Sequence, residues 1–142
     1  MKNIKLLLLI VFTSTSCNYT IEDIHYGQDE CFNCKMMIID KKHASEFMTS
    51  KGKSYKFDSI ECMIDYIDNI DELQVSVFLV NDYGNPGRMI NTNNALFLIS
   101  DNVTSPMGAN LSAFSNFNDI TKVDSLGDVY NWNELRAHIR KL

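Results

Sequence analysis

Tyr55-Lys56-Phe57-Asp58-Ser59-Ile60-Glu61-Cys62-Met63 lines up with Ser112-Ala113-Phe114-Ser115-Asn116-Phe117-Asn118-Asp119-Ile120. In each stretch a strand-like run ends in Phe, and a polar residue able to cap a helix opens the segment that follows. The parallel predicts a duplicated strand-strand-helix unit. The fold class is therefore α+β: two small pseudo-repeated units, built on antiparallel strands, that share one core.

Outward from these anchors, Lys35 to Asp40 and Ser45 to Thr49 read as a strand pair around Lys41-Lys42-His43. Lys53 to Phe57 continues the sheet after the turn at Ser50-Lys51-Gly52. Ile60, Met63, Ile64, Ile67 and Ile70 recur at helical spacing and form one apolar stripe. Gln74 to Asn81 then returns as a buried strand. Tyr83-Gly84-Asn85-Pro86-Gly87 is the strongest internal break, so residues 31–82 make the first unit and 83–142 the second. In the second unit Met89 to Asn91 and Ala95 to Ser100 read as strands, and Asp101 to Pro106 as a loop. Asn110 to Ala113 is a short strand, Asn116 to Leu126 a helix, and Trp132 to Arg140 an amphipathic helix capped at Asn131 or Asn133.

The first sixteen residues read as an export signal: Lys2 and Lys5, then the apolar run Leu6 to Phe12, then the small residues Thr13 to Ser16. That run is too short to span a bilayer, which takes about 20 helical residues. Ser14-Thr15-Ser16-Cys17 approximates a bacterial lipobox, with Ser14 where Leu is usual, so Cys17 is the expected acylation site and residues 17–30 a tether. Removing residues 1–16 takes away two lysines and moves the net charge from −5 to −7. That is the wrong sign for a nucleic-acid binder, which needs a basic face to displace counterions. Hydrolytic and phosphate chemistry have no motif to rest on, neither a Gly-rich phosphate loop nor a nucleophile elbow.

Cys31-Phe32-Asn33-Cys34-Lys35-Met36-Met37 places two thiols and two thioethers within seven residues. Thiolate and thioether are soft donors that select Cu(I), whereas zinc takes Cys, His or carboxylate. If Lys35 to Asp40 is a strand, alternation puts Cys34 and Met36 on one face, where both can hold one ion. With Cys17 carrying lipid, Cys31, Cys34 and Cys62 remain, an odd number that leaves a thiol unpaired. Met107, in Ser105-Pro106-Met107-Gly108, is a loop thioether able to complete a sulfur site if the two units pack together. His25 and His43 are the nearest imidazoles. Cys62, between Ile60 and Ile64, reads as a small buried hydrophobe.

Taken in order, several segments resemble the NosL family of lipoprotein copper chaperones encoded with nitrous oxide reductase. They are the lipobox-like Cys17, the run from Tyr26 through Cys31, Cys34, Met36 and Ile38 to Asp40, the segment from Gly52 to Asp58, and Ser105-Pro106-Met107-Gly108. The resemblance extends from Tyr26 to about Phe114. It implies a non-enzymatic, membrane-anchored protein facing the periplasm that carries Cu(I) on Cys34 and Met36, the positions of the family's Cys-x-Met element. Cys31 matches a cysteine found in part of the family. The implied partners are a copper-receiving reductase, nitrous oxide reductase by the family's association, or its assembly machinery.

Two other readings of the cysteines remain open on the residues themselves. One is a structural zinc module on Cys31, Cys34, Cys62 and His43. The other is a thiol-disulfide oxidoreductase using Cys31 and Cys34, although that chemistry favours a Cys at a helix N-terminus with a cis-Pro beside it.

Overall fold

The computed structural model describes residues 20–70 and 74–141. The signal segment and Cys17 lie outside the described residues. No described helix is long and apolar enough to cross a membrane.

The first sheet has the order β2-β1-β3-β4, formed by β1 (Ser45–Thr49), β2 (Ser54–Phe57), β3 (Val75–Asn81) and β4 (Met89–Asn91). The second has the order β6-β5-β7, formed by β5 (Leu96–Ile99), β6 (Leu111–Phe114) and β7 (Asp128–Tyr130). All pairings are antiparallel. Helix α1 (Ile60–Ile67) follows β2 and helix α2 (Phe117–Val123) follows β6, so both units run strand, strand, helix, strand. In both, the first strand lies at the centre of the three. β4 extends the first sheet, and α3 (Trp132–Ile139) closes the chain. The α+β expectation holds.

The two strand-to-helix corners match in detail. After β2, the Ser59 side chain accepts the Cys62 N–H; after β6, the Asn116 side chain accepts the Asp119 N–H. Each cap satisfies a backbone donor that the first turn of a helix leaves unpaired. Asn131 caps α3 through a reciprocal box with Glu134.

The apolar stripe of α1 (Ile60, Met63, Ile64, Ile67) packs in one cluster with Phe47, Phe57 and Val80 of the first unit and with Phe97, Leu111, Ala113 and Leu135 of the second. Trp132 joins the sheets: its ring centroid lies 5.7 Å from that of Phe78 on β3 and 5.5 Å from that of Phe97 on β5. Leu98, Val103, Phe114 and Ile120 form a smaller cluster in the second unit. Ile24 and Tyr26 pack against the main core, and Asn81 donates to the Tyr26 hydroxyl at 2.7 Å. The folded part thus takes in residues ahead of Cys31.

Two expected elements differ, and one strand is new. Lys35 to Asp40 is not a strand paired with β1: only Met37 forms a bridge, and its partner is Glu30. The chain reverses at Cys31 to Met36, with Lys35 at φ 65, and folds residues 36–38 back onto 29–31. The Cys31 N–H bonds the Met36 carbonyl at 2.7 Å, and the Ile38 N–H bonds the Asp29 carbonyl at 2.9 Å. Strand alternation therefore says nothing about which way Cys34 and Met36 point. The helix expected to reach Leu126 ends at Val123, because Asp124 turns to extended backbone and accepts the Ser100 hydroxyl. β7 is unanticipated: its three residues are too short to show a period and exist as a strand through pairing with β5.

Glu46 of β1 is 1 % exposed, faces Lys56 across the strand pair, and has a buried Oε1 with no partner. Burial pushes its carboxyl up to about 7 from 4.5, with Lys56 opposing the shift. A carboxyl that is harder to ionise when folded costs nothing where both states are protonated, and its full penalty where both are ionised. Glu46→Gln is therefore expected to match the parent near pH 4 and to exceed its stability by about 3 kcal/mol at pH 8. Thermal unfolding across that range checks it; a difference independent of pH contradicts it.

Candidate metal centre

The reversed loop carries Cys31 and Cys34 to the end of α1. Its position is set by backbone and side-chain bonds together. The Phe32 N–H bonds the Lys56 carbonyl on β2 at 2.8 Å, and Asn33 donates to Asp65 of α1 at 2.9 Å. The Lys35 N–H closes the turn on the Cys31 carbonyl at 3.0 Å. Cys62 enters from the first turn of α1, and Asp58 from the link between β2 and that helix.

The three sulfurs of Cys31, Cys34 and Cys62 and a carboxylate oxygen of Asp58 all lie within 4.8 Å of one another. Donors bound at about 2.3 Å to one ion stand roughly 4 Å apart, so this spacing suits a single metal ion. Cys31, Cys62 and Asp58 are buried, while Cys34 is partly open. Cys34 Sγ and Asp58 Oδ1 are 3.5 Å apart, and Asp58 Oδ2 is buried without a partner. A buried carboxylate oxygen with no partner is costly unless a donor or a cation reaches it.

The protonation pattern fits a site prepared for a cation. Donation from Cys62, with the backbone N–H groups of Asp58 and Cys34, lowers the Cys31 thiol to about 6. The hydrogen bond to Cys31 and burial push the Cys62 thiol up. Burial also raises Cys34, against an N–H bond from Met36. Cys31 is thus the thiol of the three that ionises most easily, and a charge on it disfavours ionisation of its neighbours.

The expected site residues fall into two groups. Cys31 and Cys34 sit in the donor cluster. Met36 and Met107 are 52 % and 47 % exposed, reachable from outside rather than packed in the core. Met36 gives its N–H to Cys34, and Met107 lines a pocket of about 270 Å³ together with Cys62, Asn33, Glu61 and Asp65. Neither histidine belongs to the cluster. His43 is buried against Asp40 at 2.7 Å and lies edge-on to Tyr83, and His25 is exposed beside Asp29. The zinc set built on His43 is therefore not assembled; Asp58 stands where an imidazole was expected.

Sequence reasoning leaves Cys62 out of the copper set, weighing it only for zinc, and does not consider Asp58 as a donor. Cys62 is indeed buried among apolar neighbours, yet its sulfur faces the other two. A signal was present: Asp58 and Cys62 flank the cap Ser59, where a helix start favours a thiolate. Cys31 and Cys34 occupy a tight turn instead of a helix N-terminus, and no peptide bond among the described residues is cis. Neither feature of the oxidoreductase reading is present.

Fold and cluster together define an α+β protein with a thiol-rich centre suited to a soft metal ion. The NosL family model matches residues 24–139, and the chain belongs to that family. The match begins where Ile24 joins the core. Among solved structures the chain is similar to the crystal structure of the copper chaperone NosL from Shewanella denitrificans. That similarity has a TM-score of 0.65 and 24 % identity, and covers 75 % of this chain and 89 % of that one. Comparison with curated proteins found no significant match.

Proposed function

We propose that this protein is a Cu(I) metallochaperone, held to an envelope membrane by lipid on Cys17 and facing the periplasm. It delivers copper to a cuproenzyme, with nitrous oxide reductase or its assembly machinery as the recipient. The observation that carries this reading is the sulfur cluster at the end of α1, with one partly open thiol and two half-exposed methionines on the loops around it. A carrier must hold copper against free solution and yet surrender it to a partner's donors. Thiolates provide the hold. Neutral, weakly bound thioethers from Met36 and Met107 complete the coordination without adding charge, and cannot form disulfides in an oxidising compartment. Membership of the NosL family and the fold shared with a copper chaperone support the same conclusion.

The test is metal competition on anaerobically purified protein. The expected result is one Cu(I) per chain, retained against excess Zn(II) and against a weak Cu(I) chelator. A second reading is favoured by the orphaned Asp58 Oδ2, since three thiolates and a carboxylate also make a closed zinc site. Tight zinc retention with loss of Cu(I) would establish that reading instead.

Anchoring is tested separately. Expressed with its own signal, the chain should fractionate with membranes and carry acyl mass, and Cys17→Ala should remove both. Each buried methylene contributes about 0.8 kcal/mol, so several acyl chains hold a small domain firmly. Unchanged fractionation of the variant would count against lipidation.

A further inference from the structure

Glu61 immediately precedes Cys62 on α1, and its side chain reaches the Met107 turn. Glu61 Oε1 accepts the hydroxyl of Ser105, a residue only 3 % exposed, and Glu61 Oε2 is buried with no partner. Ser105 opens a tight turn: the Gly108 N–H bonds the Ser105 carbonyl at 3.0 Å, with Gly108 at φ 80. In so short a turn, fixing Ser105 fixes the direction of Met107. One helical turn further along the same face of α1, Asp65 holds Asn33 of the cysteine turn. The helix that carries Cys62 thus grips both sulfur-bearing turns, which meet at the pocket lined by Asn33, Glu61, Cys62, Asp65 and Met107.

The two grips are unequal. Asn33 and Asp65 bond at an exposed position, where water replaces either partner at little cost. The Glu61 and Ser105 bond is part-buried, and breaking it strands polar atoms in a poorly solvated place.

We propose that Glu61 is a positioning residue that latches the Met107 turn beside Cys62, so that its bond to Ser105 sets how fast copper leaves the cluster. This rests on the copper-carrier function proposed above. With the latch closed, the Met107 thioether is held at high local concentration next to the thiolates and blocks the approach that a partner's donor would use. With the latch open, the turn swings away and the ion is left on the thiolates, accessible to attack.

The experiment uses the full chain in detergent, metal-loaded without oxygen, and follows Cu(I) release to a chromogenic chelator by stopped flow. Glu61→Ala should release copper about tenfold faster, as expected for loss of a hydrogen bond to a charged group. Glu61→Gln keeps an acceptor oxygen and should stay near the parent, and Asp65→Ala should change little. Met107→Leu should also release faster, and adding Glu61→Ala to it should change nothing more, because the latch acts through Met107 alone.

Methionine methyl NMR on the metal-free chain gives a readout independent of copper. The Met107 signal should narrow and move toward its free-chain position in Glu61→Ala. Ser105→Ala cuts the same bond from the other side and serves if Glu61→Ala does not fold. Equal acceleration by Glu61→Ala with and without Met107 overturns the proposal, as does unchanged release with an unchanged Met107 signal. A parent chain that binds no Cu(I), with Met107 still loosened by Glu61→Ala, overturns the copper function and the control of release with it, and upholds only the positioning of the Met107 turn by Glu61.

Discussion

Cys34→Ser is expected to lower Cu(I) affinity by more than about a hundredfold, beyond the 10- to 100-fold loss typical of removing an outer-shell partner of a metal site. Serine keeps the size and the turn, but it replaces a soft donor that ionises with a hard, neutral hydroxyl. Cys34 is the partly open member of the cluster, so the fold should survive the change. The methionines should behave differently. Met36→Leu and Met107→Leu conserve volume at half-exposed positions and cost less than about 1.5 kcal/mol of stability, so any loss of copper reports ligation rather than folding. Cys31→Ser and Cys62→Ser should fall between these cases, and Met37→Leu should do little. Chelator competition measures the whole series. If Met36→Leu binds like the parent while Cys31→Ser and Cys62→Ser both fail, the ion sits on the thiolates and Asp58 without thioether help.

Asp82→Ala is expected to destabilise the chain by about 3 kcal/mol. Asp82 is fully buried at the end of β3. Its carboxylate accepts the Gly84 N–H at 3.2 Å, the Asn85 side chain at 3.0 Å, and the Ser115 N–H and hydroxyl at 3.3 and 2.7 Å. Arg88 adds a cation at 3.9 Å. One carboxylate thus ties the loop between the units to the strand-helix corner of the second. Alanine leaves those donors without an acceptor in a site with little water. Asp82→Asn retains one acceptor oxygen and should cost less. Urea denaturation gives the comparison, and a loss below about 1 kcal/mol for Asp82→Ala would show that water replaces the carboxylate freely.

Much of this protein was legible from its sequence because the relevant physics is local. Ser59 and Asn116 cap helices through the residues that follow them, and the spacing of Ile60, Met63, Ile64 and Ile67 marks the buried face of α1 without knowledge of what covers it. Phe57 and Phe114 mark corresponding strand ends for the same reason. The cysteine pair and the nearby thioethers marked a candidate soft-metal site by composition alone.

Tertiary structure decided the rest. The run of Met36, Met37, Ile38 and Ile39 has the character of a strand, yet the left-handed Lys35 and the bonds to residues 29–31 make it one arm of a reversed loop. β7 exists because β5 offers it an edge. Most of all, Cys62 and Asp58 became part of the donor cluster because β2 and α1 deliver them to the loop that holds Cys31 and Cys34. Periodicity reports whether a side chain is buried. Which other side chains share that burial depends on how distant segments pack, and for a sulfur on a helix that packing separates a core residue from a member of a donor cluster.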